Sequence, residues 1–168
     1  MDSAYFDSSI FLAIFNGEPS GTAIKQLLRE LRRNKNRVCT SIITVEEVSV
    51  ASYLGGTGSG DNYAKVERLA RIHGITMGIS LRAAELEAQL IKRAQSMSKE
   101  ERKTLSQRRK WDCFHIATAI EMRCRWLYSL DPGMLNCKGL IAGTHSITFS
   151  EPKPSAGELS FEKGISIH

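Results

Sequence analysis

No stretch of the 168-residue chain reaches the roughly 18 uninterrupted apolar residues that mark a membrane-spanning helix. Met1 and Asp2 do not open a basic segment followed by an apolar core, so neither a span nor a secretion signal is expected. The four cysteines, Cys39, Cys113, Cys124 and Cys137, show no Cys-x-x-Cys spacing. Three of them lie in or beside apolar segments, where a thiol behaves as a small hydrophobe. A cytoplasmic chain with reduced thiols and no membrane partner is the simplest expectation. No internal repeat is evident.

What is present matches an ordinary globular unit. Hydrophobic residues make up 42% and charged residues 24%, and this length fits one domain with a full core. The expectation is one domain over residues 1–150 and an exposed tail over 151–168, which is rich in Ser, Gly, Lys and Glu. Lys and Arg outnumber Asp and Glu by 23 to 18, a net charge of +5, and this excess serves solubility as readily as polyanion binding. Its placement says more. "RELRRNKNR" (Arg29 to Arg37) and "KEERKTLSQRRK" (Lys99 to Lys110) hold much of the positive charge. Such clusters can neutralise phosphates, although each alone reads better as a solvated helix end.

Strands and helices alternate. "AYFDSSIFLAIF" opens as a buried strand over residues 3–7 that leaves Asp7 at its carboxyl end. "TAIKQLLRELRRN" places Ile24, Leu27, Leu28 and Leu31 at i, i+3, i+4 and i+7, the stripe of an amphipathic helix. "RVCTSIIT" reads as a second strand, with Thr44 capping a helix over "VEEVSVASYL". The glycine-rich "GGTGSGDN" reads as a loop, with Asp61 capping a helix through His73. A short strand is expected at "ITMGI". Ser80 is then the expected cap of a helix whose apolar face holds Ala83, Leu86, Leu90, Ala94 and Met97. A helix over about Trp111 to Arg123 buries Cys113, Ile116, Ala117, Ile120 and Cys124. "RWLYSLD" forms a strand ending in Asp131 before the turn residues Pro132 and Gly133, and "HSITFS" a last short strand. Such alternation implies a mainly parallel sheet covered on both faces, with function beyond the carboxyl ends of the strands.

Asp7 and Asp131 stand at strand ends, and Glu47 and Asp112 fall in the first turns of helices that open on the same edge. Ionised acids brought together need a cation or raised pKa values. Magnesium meets that need with a few carboxylates while keeping waters for a phosphate and a nucleophile. Each acid also has a purely structural reading. Glu47 stands three residues after Thr44, the capping-box spacing. Asp112 suits the positive end of its helix, and Asp7 and Asp131 read as turn acids, although apolar flanks make Asp7 expensive to bury without a partner.

The order and context of these acids resemble a known family. Asp7 in "YFDSSIFL", Glu47 in "SIITVEEVSVA", Asp112 in "WDCFHIATA" and Asp131 in "YSLDPGM" are similar to the acidic quartet of PIN domains, over nearly the whole of residues 3–150. The resemblance implies a three-layer α/β/α fold with about five parallel strands and Mg²⁺- or Mn²⁺-dependent endoribonuclease activity. It also implies catalytic and metal-ligand roles for Asp7, Glu47, Asp112 and Asp131, and frequent homodimers. Many bacterial members of this size are toxins of VapBC-type pairs, silenced by an antitoxin protein. Two departures stand out. Ser129 supports the site where the family commonly has Thr, and no second aspartate closely follows Asp131.

Glu46 is expected to face solvent. His115 reads as a hydrogen-bonded structural histidine, with a catalytic base as the alternative, and Trp111 as packing at the helix start, with base stacking as the alternative. Beside an acidic quartet, Arg102, Lys103, Arg108, Arg109 and Lys110 become candidate contacts to RNA phosphates. Arg29, Arg32 and Arg33 would extend that track or meet an antitoxin. Two other classes compete with the nuclease. One is a catalytically degenerate module that binds RNA or a protein; the other is an aspartyl-phosphate enzyme, for which Asp7 lacks the Asp two residues later.

Overall fold

The computed structural model describes residues 2–55, 61–95, 109–141 and 145–153. Five strands, β1 (Ser3–Phe6), β2 (Arg37–Ser41), β3 (Arg71–His73), β4 (Trp126–Tyr128) and β5 (Thr148–Ser150), form one sheet in the order β3-β2-β1-β4-β5. Every neighbouring pair is parallel. The helices are α1 (Ser8–Phe15), α2 (Gly21–Arg33), α3 (Ile42–Leu54), α4 (Asn62–Leu69), α5 (Met77–Ala94), α6 (Arg109–Glu121) and α7 (Pro132–Asn136), followed by a 3₁₀ turn at Cys137–Leu140. None among the described residues is long and apolar enough to cross a membrane.

The sheet is covered on both sides, which makes this the expected three-layer α/β/α architecture. Side chains alternate across the central strand β1. Ala4 and Phe6 join Ile10, Phe11, Ile24, Leu28, Leu31 and Val48 in one apolar layer. Tyr5 points the other way, into a layer built from Ile79, Ala83, Leu86 and Leu90 of α5 and Cys113, Ile116 and Ala117 of α6. Each fully buried Leu or Ile contributes about 1.5 to 3 kcal/mol relative to exposure. All four cysteines are buried and outside any disulfide. Chain order runs outward from β1 through β2 to β3 on one side and through β4 to β5 on the other. The strand order therefore reverses between β1 and β4, where such sheets open a crevice at their carboxyl edge.

Several local expectations are overturned, each by a cap or a pairing. The second strand stops at Ser41, whose hydroxyl accepts the Ile43 N–H at 3.3 Å and caps α3. Thr44 is therefore not the cap; it is buried, with its hydroxyl 2.7 Å from that of Thr40. The helix expected through His73 ends at Leu69, because Arg71–His73 pair with Cys39, Thr40 and Ser41 as the edge strand β3. The expected strand at 75–79 is instead the start of α5. Thr76, rather than Ser80, caps that helix by accepting the Ile79 N–H at 3.2 Å. Helix α6 starts at Arg109 and ends at Glu121, short of the expected Arg123, which turns left-handed at φ 51°. Strand β4 is confined to Trp126–Tyr128 and β5 to Thr148–Ser150, both shorter than expected. Two helices add to the expected set. α1 starts directly after Asp7, and α7 starts with Pro132 at its first turn, where a missing N–H loses nothing. Met97 and residues 154–168 lie outside the described residues.

Candidate active site

Strand β1 carries Asp7 out of the sheet centre to the N-terminus of α1, and the residue is 3% exposed. A carboxylate at that depth demands partners. Both oxygens find a hydroxyl: Ser9 Oγ donates to Oδ1 at 2.6 Å and Ser129 Oγ donates to Oδ2 at 2.5 Å. The two serines also accept from the turn after β4. Leu130 N–H reaches Ser9 Oγ at 2.8 Å, and Asp131 N–H reaches Ser129 Oγ at 2.9 Å. Burial pushes the Asp7 pKa above its ordinary value, and the Ser129 and Ser9 hydroxyls oppose that rise.

Asp131 is the cap of α7, its Oδ1 accepting Gly133 N–H at 2.7 Å. It is a turn acid and a cleft residue at once. Glu47 lies well inside α3, because the helix starts at Ile42, so the capping-box reading fails. Its Oε2 is 3.0 Å from His115 Nε2, and His115 Nδ1 is 2.6 Å from the hydroxyl of fully buried Tyr5. His115 is thus a hydrogen-bonded buried histidine that also touches an acid of the cleft. Glu46 faces solvent.

Asp112 sits in the first turn of α6, half-buried. Its pKa is raised to about 6, first by burial, with His115 opposing and with Asp131, Asp7 and Glu47 each adding to the rise. All four acids therefore share one electrostatic neighbourhood. They line a single cleft of about 230 Å³ together with Ser8, Ser9, Leu12, Trp111 and His115. Among the described residues no lysine or arginine lines it. Trp111 packs at the helix start, its ring meeting that of Phe114 at 6.0 Å, and 42% of the residue stays exposed at the cleft.

Among the described residues no three His, Cys, Asp or Glu side chains close around a common point. The hydrogen bonds explain why, since Asp7 is drawn to its serines, Glu47 to His115 and Asp131 to Gly133. An ionised carboxylate offers about four lone-pair sites, so each acid keeps further acceptor capacity. Magnesium-like ions are commonly held by one or two carboxylates plus water rather than by an all-protein cage. The donor set, all oxygen and strongly anionic, fits a hard divalent cation.

The candidate RNA contacts are only partly placed. Lys110 is exposed in the first turn of α6, next to Trp111. Arg109 starts that helix, and Arg102, Lys103 and Arg108 lie outside the described residues. Arg29, Arg32 and Arg33 are exposed on α2. Sequence reasoning missed Ser9 and Tyr5. A serine two residues after a strand-end aspartate was a signal for the first; the alternation of β1, which sends Tyr5 toward α6, was a signal for the second.

A parallel five-stranded sheet with an acidic cleft at its switch point defines a class of α/β/α proteins with strand-end carboxylates. The chain belongs to the PIN-domain family, whose model matches residues 4–139. No curated protein matches the sequence at a significant level. Among solved structures, the fold is similar to a toxin–antitoxin complex from Klebsiella pneumoniae, with TM-score 0.55, 20% identity, and coverage of 90% of this chain and 98% of that one. It is also similar to VapBC2 from Rickettsia felis bound to a DNA fragment from its promoter, with TM-score 0.61, 13% identity and coverage of 89% and 98%. VapBC-1 from nontypeable Haemophilus influenzae matches with TM-score 0.58, 12% identity and coverage of 89% and 97%. At these identities the likeness is one of fold.

Proposed function

We propose that the protein is a Mg²⁺- or Mn²⁺-dependent endoribonuclease that hydrolyses RNA phosphodiester bonds in the cleft formed by Asp7, Glu47, Asp112 and Asp131. One observation carries the reading: four acids far apart in sequence meet in one cleft, where the other three raise the pKa of Asp112. A bound divalent ion supplies Lewis-acid polarisation of a phosphoryl oxygen and a more acidic water. Asp7 and Asp112 would be the principal ligands, with Asp131 next. Glu47 would hold the ion through a water or orient the nucleophile.

The chain's own residues do the rest. Ser9 and Ser129 fix the Asp7 carboxylate, and Leu12 and Trp111 wall the cleft with apolar surface that shields the reacting phosphate from bulk water. Trp111 offers its exposed face to a base beside the cut. Lys110, with Arg102, Lys103, Arg108 and Arg109, holds the flanking phosphates and offsets the charge repulsion between the acids and the RNA backbone.

PIN-family membership and the fold likeness to VapBC complexes support a toxin role, with an antitoxin as protein partner. The exposed apolar side chains Val50, Tyr53 and Leu54 at the end of α3 also support a protein partner. In this reading the protein works in the cytoplasm as a homodimer. A second reading, a degenerate module that binds without cutting, is favoured by the capping bond already made by Asp131 and by the absence of a preformed ligand triad among the described residues.

Titrating Mn²⁺ against a labelled RNA hairpin separates the two. The nuclease gives products that depend on the metal and are abolished by Asp7→Asn or Asp112→Asn. Affinity without product at every metal concentration, or cleavage undiminished in both variants, overturns the proposal.

A further inference from the structure

We propose that Tyr5 and His115 are positioning residues for Glu47, a buried phenol–imidazole pair that keeps Nε2–H turned to the Glu47 carboxylate and thereby presents that carboxylate to the cleft. The effect on metal binding rests on the nuclease reading; the Nε2–H contact itself does not.

The direction of the chain of hydrogen bonds follows from donor counting. Tyr5 and His115 are both buried, with ring centroids 5.9 Å apart in an edge arrangement. The phenol stands 2.6 Å from Nδ1, and burial above all keeps its proton in place. A neutral imidazole has one donor and one acceptor nitrogen. If Nδ1 accepts from the phenol, the ring proton lies on Nε2 and is donated to Glu47 Oε2 at 3.0 Å. The opposite tautomer would set the Nε2 lone pair against a carboxylate oxygen with no proton between them. Of the two neutral tautomers only the first satisfies all three groups, and a doubly protonated ring would keep the same Nε2–H bond to Glu47.

The pair also joins the right elements. Tyr5 stands two residues before Asp7 on β1, His115 stands one helical turn after Asp112 on α6, and Glu47 comes from α3. A glutamate at a cleft wall has several rotamers to lose when a ligand binds, and a carboxylate held beforehand leaves less ordering to the binding step. Groups that orient a metal-ligating side chain commonly influence affinity as much as some ligands do.

Long-range ¹H–¹⁵N correlation spectra of the full chain at pH 7.5, with His115 assigned by its loss in His115→Gln, test the tautomer without metal or RNA. The wild type should show Nε2 protonated. Glu47→Ala should keep that pattern, since Tyr5 alone holds it, and Glu47→Ala combined with Tyr5→Phe should let both tautomers appear. In parallel, Mn²⁺ affinity read from the paramagnetic signal of the free ion should fall roughly 10-fold in Tyr5→Phe and His115→Ala. His115→Gln, whose amide N–H still reaches Glu47, should recover part of that loss. An Nε2 without its proton in the wild type, averaging in Glu47→Ala alone, or unchanged Mn²⁺ affinity in both Tyr5→Phe and His115→Ala would overturn the proposal. If the wild type binds no Mn²⁺, the nuclease reading falls and the spectra alone decide the role of the pair.

Discussion

Removing one charge from the acidic cleft should make the metal-free protein more stable, and Asp112→Asn is the substitution that shows it. The Asp112 pKa lies at about 6 against an ordinary 3.8, a gap that corresponds to about 3 kcal/mol at 1.36 kcal/mol per pH unit. A carboxyl whose folded pKa exceeds its unfolded value binds its proton more tightly when folded. Its penalty is therefore nearly absent around pH 4, grows as pH rises toward 6, and is complete above it. Asparagine removes that penalty but forfeits the roughly 0.3 to 1 kcal/mol that an acid gains at a helix N-terminus. The net expectation is about 2 kcal/mol of added stability at pH 8. For a chain of this size that is roughly 4 to 8 °C in Tm. Urea unfolding with a chelator present, at pH 8 and again near pH 4, measures it, and the gain should vanish at the lower pH. A variant no more stable than the wild type at pH 8, or equally stabilised at both, would refute the electrostatic account of the cleft. Saturating Mn²⁺ should reverse the ranking, because an ion at 100 times its Kd stabilises the protein that binds it by about 2.7 kcal/mol.

Three further outcomes follow from the same geometry. Ser129→Ala leaves an Asp7 oxygen and the Asp131 N–H without their shared hydroxyl, and should lower unfolding stability at pH 7 by about 1 to 3 kcal/mol; a loss below about 0.5 kcal/mol would show that water replaces the serine. Trp111→Ala, in an Asp112→Asn background that does not cut, should weaken binding of a short single-stranded RNA by about 1 to 3 kcal/mol, as followed by fluorescence anisotropy, with Trp111→Phe intermediate. Arg108→Ala with Arg109→Ala should weaken RNA binding and flatten the slope of log affinity against log salt by about 0.7 for each phosphate no longer neutralised. Parallel salt plots for variant and wild type would remove both residues from the interface.

The layer architecture and the meeting of the acids were legible because their signals are local. Asp7 ends an apolar strand, Asp112 precedes an apolar helical stripe, and Asp131 stands before Pro132 and Gly133. Register with neighbouring elements is not local. "RIH" is too short to show a period of two, so only its pairing with β2 reveals Arg71–His73 as a strand. Thr44 is the cap expected for α3, yet the role falls to Ser41, because the Thr44 hydroxyl is engaged with that of Thr40. The contacts that shape the cleft span still greater distances. Ser129 and Asp7 are 122 residues apart, Tyr5 and His115 110. No window of sequence contains both members of either pair.

The twin serine bridge makes Asp7 and the turn bearing Asp131 a single mechanical part. Ser9 and Ser129 each accept a backbone N–H from that turn and donate their hydroxyl to one oxygen of Asp7. An amide in place of Asp7 brings NH₂ hydrogens against a hydroxyl already committed as donor, so at least one serine must rotate and loosen its grip on residues 130 or 131. A deficit measured in Asp7→Asn thus belongs to two corners of the cleft at once, and a double-mutant cycle between positions 7 and 131 should return strong non-additivity.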